Sequence, residues 1–230
     1  MTSSAAMAYP WPLQDATVLI RMMIDIHMDD NYLPISQAEI FGKRPMRMSQ
    51  KEKEKSHTRI VANAARLVRE RGLEGASVGE VMKAAGMTHG GFYKHFESKE
   101  ALIEAAIDAA FAGFVEALDR GEPEQAVAAY RALYLSEDHK NHPGLGCPVA
   151  TVGQEIGRAP DGLKAAFGRG VRHIVAALAR VMKGSAQAKE GAAFREFSML
   201  VGAMVIARAS DPETARGVLA ACKRRSGNVQ

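Results

Sequence analysis

Only two cysteines occur in 230 residues. Cys147 and Cys222 are far apart and belong to no C-x-x-C pair. That excludes a disulfide framework and fits a reducing cytoplasm, the expected location. Aromatic residues make up only 6% of the chain, and long alternating runs of β-branched residues are scarce, which argues against a core built from sheets. No uncharged apolar run approaches the ~18 residues a membrane span needs. The N-terminus has no basic region followed by an apolar core, so no secretory leader and no membrane partner are expected. Also missing are G-x-S-x-G, a Ser-His-Asp order, a glycine-rich phosphate loop and a paired-carboxylate motif. An enzyme built on the C-terminal part is therefore a remote alternative, and no cofactor is implied.

What the chain does have is 47% hydrophobic residues and abundant alanine, enough for a well-filled core of packed helices. The fold class expected is all-α. The charge is unevenly placed. The net charge is +4, and between Lys51 and Lys99 ten Lys and Arg face six Asp and Glu. The excess thus falls in one segment of about fifty residues, as in a nucleic-acid-binding module joined to a near-neutral partner domain.

That segment carries dense local punctuation. Ile60, Ala64 and Leu67, with Val61, Ala65 and Val68, repeat at helical spacing and make the stripe of a first helix. The basic run Lys51, Lys53, Lys55 reads as an arm standing before it. Ser77 and Glu80 form an S-x-x-E capping box, so a second helix should run from Val78 to Ala85 and stop at Gly86. Met87 fills the turn, and Thr88 is placed to cap a third helix with its hydroxyl. Helix, glycine turn, threonine cap, helix is the helix-turn-helix layout. Phe92 and Phe96 lie at i, i+4 and read as core. Tyr93 either covers the core edge or, given the cations around it, contacts phosphate. Ser98 caps a fourth helix.

In these motifs the segment resembles the N-terminal DNA-binding domain of TetR/AcrR-family transcriptional regulators. The matching features are Gly72-Leu73 before a short link, Ser77-Val78, Ala85-Gly86-Met87, Gly91-Phe92-Tyr93-Lys94-His95-Phe96 and Ser98-Lys99-Glu100-Ala101-Leu102. The resemblance implies that Tyr93, His95 and Lys99 contact phosphates, and that His89, Gly90 and Lys94 lie nearest the base edges. Lys55, Ser77, Thr88 and Gly91 complete the implied DNA-contacting set. Many relatives carry larger residues where this chain has Gly90 and Gly91, and two glycines weaken a helix by roughly 1 kcal/mol each. They also leave His89 with much of the base reading.

Three regions follow: an N-terminal extension over 1–47, read as disordered or as lying upstream of a start at Met46 or Met48, the alternative being a genuine accessory arm; the helix-turn-helix domain over 48–98; and a helical ligand-binding and dimerisation domain over 99–230. The last reads as helices near 99–118, 124–136, 147–157, 161–182, 189–209 and 212–225, with a polar loop over 137–146. The resemblance implies that the final two helices pair across a two-fold axis. Phe194, Phe197, Val201, Gly202, Met204 and Val205 are the interface candidates. It also implies a homodimer on a palindromic double-stranded DNA operator, acting as a repressor and released by a small-molecule effector. Phe111, Phe114, Tyr130, Tyr134, Cys147, Val152, Phe167, Ile174 and Met199 are candidates for the effector pocket, although such a set is more often plain core. Cys147 at a helix start has an alternative role as an electrophile or redox sensor, because helix N-termini favour thiolates; inert packing is the commoner role for a cysteine. His139, His142 and Cys147 lack a completing ligand, so a hydrogen-bonded loop is preferred to a metal site.

Overall fold

The computed structural model describes residues 49–119 and 123–224; the expected N-terminal extension lies outside them. Among the described residues there is helix and no strand. The order is α1 (Gln50–Gly75), α2 (Val78–Ala84), a 3₁₀ turn (His89–Lys94), α3 (Lys99–Asp119), α4 (Pro123–Tyr134), α5 (Glu137–Asn141), a second 3₁₀ turn (Pro143–Leu145), α6 (Val149–Ile156), α7 (Asp161–Arg180), α8 (Ala186–Ala209) and α9 (Pro212–Lys223).

The first helix starts earlier than its apolar stripe suggests. Ser49 and Glu52 form a reciprocal capping box, so Lys51, Lys53 and Lys55 stand on the exposed first turns of α1 rather than on a separate arm. The expected stripe is as drawn: Ile60, Ala64, Leu67 and Val68 are buried. Near its C-terminal end α1 breaks at Gly72, whose φ of 80° is a left-handed value that favours glycine. The segment 137–146 is a second correction. It is not an open loop but a short helix and a 3₁₀ turn, nucleated by Ser136, whose hydroxyl accepts from the His139 N–H.

One continuous core runs through the molecule. α1 packs on α3 and on α6, so the helix-turn-helix unit and the C-terminal bundle share a wall. α3 also packs along α7, and α7 along α8, which pairs with α9. Arg131 on α4 and Glu196 on α8 join two helices through a double hydrogen bond at 2.7 and 2.8 Å. The fork matches carboxylate geometry and is largely shielded from water.

The α3–α7 crossing is close because Gly170 faces Phe111. A methyl at residue 170 would lie 2.1 Å from the buried Phe111 ring. Gly170→Ala should therefore destabilise the protein by about 1–3 kcal/mol through overpacking. Urea unfolding followed by circular dichroism measures this, and an unchanged midpoint would show that the crossing has room to spare.

Candidate nucleic-acid interface and the adjoining cavity

The second helix begins and ends as its sequence indicates. The Ser77 hydroxyl accepts from the Glu80 N–H at 3.2 Å and donates to the Glu80 carboxylate at 2.9 Å. Those bonds hold the exposed Glu80 carboxyl below its ordinary range. At the other end, Gly86 takes φ 69°, while the Met87 N–H reaches Met82 O at 2.8 Å and the Gly86 N–H reaches Lys83 O at 3.1 Å. This is a Schellman closure, and it sets the direction of the chain into the recognition segment.

The recognition segment differs from expectation. His89–Lys94 is a 3₁₀ turn, and the Thr88 side chain makes no capping bond. Gly90 and Gly91 lower the helix-forming tendency where the first α-turn would nucleate, and the tighter turn results. Side-chain packing holds it in place. Phe92 and Phe96 are buried, and the His57 ring of α1 stacks on Phe96 with centroids 4.7 Å apart. Thr88, His89, Gly90 and Lys94 are exposed, and Tyr93 is 72% exposed. Together they form one polar, partly cationic edge.

Several implied contacts sit differently. Both ring nitrogens of His95 are shut from solvent without a hydrogen-bond partner; burial, then His57, Lys53 and Lys94, holds its pKa below the usual value. The Lys99 ammonium lies 3.6 Å from the exposed Glu74 carboxylate. The Ser77 hydroxyl is spent on its cap.

In the C-terminal bundle a cavity of about 20 Å³ lies between α4 and the 137–146 segment, lined by Phe114, Tyr130, Leu133, Tyr134, Asp138, His139, His142 and Leu145. Of the expected pocket residues only Phe114, Tyr130 and Tyr134 line it. Phe111 lines a separate groove of about 520 Å³ with Asp108, Arg169 and His173, and Phe167 stands edge-on to it. Cys147, Val152 and Ile174 are fully buried core. Met199 is a correction: it is 37% exposed, because its position on α8 faces away from the bundle.

His139 is buried, with both nitrogens committed. Nε2 accepts the Cys147 N–H at 2.9 Å and Nδ1 faces the Tyr134 carbonyl. An acceptor Nε2 carries no proton, so the ring is the neutral Nδ1–H tautomer. Burial and the nearby Arg208 and Arg69 push its pKa down to about 4, against the opposing pull of the Tyr134 carbonyl. Nothing is left for a metal, and His142 Nδ1 pairs instead with Asp138 at 2.9 Å. The Cys147 thiol is also corrected. Burial raises its pKa, and the Tyr134 hydroxyl, the Ala150 and Val149 N–H groups and Arg208 only partly offset that. Desolvation therefore outweighs the helix terminus that was expected to favour a thiolate.

Residues 60–106 match the family model described as bacterial regulatory proteins, tetR family, and they frame this same helix-turn-helix. The helix-turn-helix segment is therefore similar to that of the TetR family. It is 25% identical over 130 residues to the HTH-type transcriptional repressor NemR of Escherichia coli K12, covering 54% of this chain and 65% of NemR. It is 30% identical over 118 residues to the transcriptional regulator AcuR of Cereibacter sphaeroides, covering 49% and 54%. The chain thus spans less than two thirds of the length of these relatives. In structure it is similar to reduced E. coli NemR, with TM-score 0.61 and 22% identity over 74% of this chain and 95% of that one. It is also similar to a TetR-family regulator from Cytophaga hutchinsonii, with TM-score 0.63 and 22% identity over 77% and 95%. At these identities the likeness shows the fold.

The helix-turn-helix unit is tied to the bundle by two polar contacts, and the bundle braces the segment that receives one of them with a third side chain, Arg208. The Leu73 N–H, left free by the break at Gly72, donates to the Glu155 carboxylate of α6 at 2.7 Å. The Arg69 Nε donates to the Gly144 carbonyl at 2.8 Å. Arg208 Nε donates to the Lys140 carbonyl at 3.2 Å, its Nη1 to the Ala150 carbonyl at 3.4 Å and its Nη2 to the His139 carbonyl. The signal for Arg208 was register: it follows Leu200, Met204 and Ala207 on the buried side of α8. No helix among the described residues is long and apolar enough to cross a membrane.

The depressed pKa of His139 has a thermodynamic consequence. Between about pH 6.5, the ordinary histidine value, and about pH 4, the unfolded chain binds a proton that the folded chain refuses. Stability is therefore lost as pH falls through that window and is fully present above it. His139→Gln should lower stability at neutral pH, yet flatten this slope. Urea titrations from mildly acidic to neutral pH test both, and an equally steep slope in the variant would assign the pH dependence to other groups.

Proposed function

We propose that the protein is a one-component transcriptional repressor that binds a palindromic operator as a dimer and leaves it when a small molecule binds the C-terminal bundle. The observation carrying this is the exposed edge Thr88–Lys94, presented by a closed glycine turn and buttressed from behind by Phe92 and Phe96. The repressor and regulator names of NemR and AcuR support the same reading.

One recognition segment reads too few bases for useful specificity, so two copies about 34–36 Å apart, or somewhat wider, address successive half-sites. The face of α8 turned away from the bundle supplies the dimer surface. Phe194, Val205 and Ile206 are more than 40% exposed there, with Val201 and Gly202 half-buried between them. Phe197 and Met204, counted among the interface candidates, point inward and are buried in the subunit core. The helical period separates the two sets. Effector binding then acts through the residues that line the cavity: Leu145 adjoins Gly144, and Gly144 holds Arg69 of α1.

A duplex selected from a random pool by the protein itself provides the DNA probe. Lys99→Ala should weaken binding across sequences by about 1 kcal/mol and reduce the salt slope by about one unit. Tyr93→Phe should weaken it similarly, whereas His89→Ala should relax preference at one base position. Gel-shift titrations at several salt concentrations check this; unchanged affinity and slope for both Lys99→Ala and Tyr93→Phe would remove the phosphate assignment.

Gly202→Glu isolates the dimer. Within the subunit nothing lies within 4 Å of a Cβ at residue 202, so the monomer fold tolerates it, while a buried charge opposes an interface of over about 1,000 Å². Light scattering should find a dimer for the parent and a folded monomer for the variant. A parent that is monomeric at micromolar concentration would defeat this reading.

A further inference from the structure

We propose that the α1 face carrying Lys53 and His57 is a second contact for the phosphate backbone of the operator, and that His57 takes up a proton there when DNA binds. The proposal rests on the DNA-binding reading above and extends its surface from the Thr88–Lys94 edge onto α1. Lys53 and His57 stand one turn apart on α1, and both are exposed. The His57 ring reaches the recognition segment. It stacks on Phe96 with centroids 4.7 Å apart and lies 6.1 Å from the His95 ring. His95 directly follows Lys94 in the chain. Side chains of two elements thus make one strip that continues the proposed base-reading edge.

The strip gathers positive charge with no acid to balance it. The charges acting on His95 come from His57 and Lys53 of α1 and from Lys94 of its own turn; α2 and α3 contribute none. None of those three has an acidic partner among the described residues. The neighbouring acids of α1 are engaged elsewhere: Glu52 closes the Ser49 capping box, and Glu54 accepts from Gln50 at 2.9 Å. Glu97, beyond Phe96, is exposed. Both His95 ring nitrogens are shut from solvent without a partner, although buried polar groups are almost always partnered. Burial first, and then the surrounding cations, keep that ring neutral. The free protein therefore holds a cluster that repels its own full charge. An anion laid along the strip removes that repulsion. Exposed groups on successive turns suit a polyanion, and a DNA strand offers a phosphate about every 3.4 Å.

Histidine is the side chain whose charge changes near neutrality. A phosphate within about 4–6 Å favours the imidazolium by about one pH unit or more. The value in the complex is raised, so the added affinity is fully present below the free-state value and is lost as pH rises through the bound-state value. The phosphodiesters keep their charge throughout. Operator affinity accordingly rises as the solution is acidified from about pH 8 to about pH 6.

The test uses the full chain and the duplex it selects from a random pool, titrated by fluorescence anisotropy across that range at fixed ionic strength. The parent should bind up to about tenfold tighter at the acid end, the effect of one pKa unit at one histidine. His57→Gln should flatten the profile. His57→Arg, charged at every pH, should flatten it while holding the affinity near the parent's acid value. Lys53→Gln should weaken binding at every pH and lower the salt slope by about one unit, with the pH profile still steep. In the unsubstituted chain, histidine-selective NMR should find His57 titrating about one unit higher with duplex than without, a readout independent of how any variant folds. A parent affinity that ignores pH, or a His57 that titrates alike free and bound, overturns the proposal. A profile still steep in His57→Gln assigns the proton to His89 or His95 and overturns it as well. If the duplex is bound specifically at every pH without proton uptake, this inference falls and the DNA-binding reading stands; if no duplex is selected, both fall.

Discussion

The hydrogen bond from the Leu73 N–H to the Glu155 carboxylate is the constraint on which the two halves of the molecule depend. The break at Gly72 frees a backbone donor in a half-buried position, and a donor left unpaired there would cost free energy comparable to a lost hydrogen bond. Glu155 satisfies it from α6, outside the helix-turn-helix unit. The glycine is required twice over: for its φ of 80°, and because a Cβ there would lie 2.6 Å from the Glu155 carboxylate oxygen. Every shift of α6 is consequently felt at the end of α1, immediately before the link to α2. Arg69, one turn earlier, gives α1 a second attachment through the Gly144 carbonyl. Two short bonds at one helix end resist rotation better than a longer apolar contact, since hydrogen bonds are directional.

Behind these attachments lies a polar cluster in an apolar bundle. His139, Arg208 and Arg69 serve backbone groups between Tyr134 and Ala150. The structure accommodates the burial by keeping His139 neutral and by leaving the cations to carbonyl dipoles. Burial lowers the Arg69 pKa to about 10, only partly offset by Cys147 and Glu70, and it lowers Arg208 as well. This is an environment short of negative charge and supplied with donors. The same desolvation that keeps Cys147 a thiol makes the neighbouring phenols poor acids and leaves them as donors.

The recognition edge shows a different balance. A glycine pair, Gly90 and Gly91, gives up helix tendency in the exposed recognition segment. Aromatic packing, from His57 to Phe96 and from Phe96 to Phe92, restores the rigidity that the backbone lacks. Under the proposed function, base reading would rest on few side chains, with phosphate contacts setting position.

Much of this was legible in the residues themselves. Caps and glycine stops placed α2, the turn and α3 because those signals are local, made by groups three or four residues apart. The first-helix stripe and the basic excess followed from periodicity and composition alone. What tertiary structure decided was which groups lost their water. Cys147 reads as a helix-start thiolate until burial reverses the sign of its pKa shift. His139 reads as a loop residue until the Cys147 N–H and the Tyr134 carbonyl enclose it. Phe197, Met204 and Met199 share one apolar helix with Phe194 and Val205, and only packing against α7 and α9 divides the inward set from the outward one. Desolvation depends on neighbours distant in sequence, so no local pattern announces it.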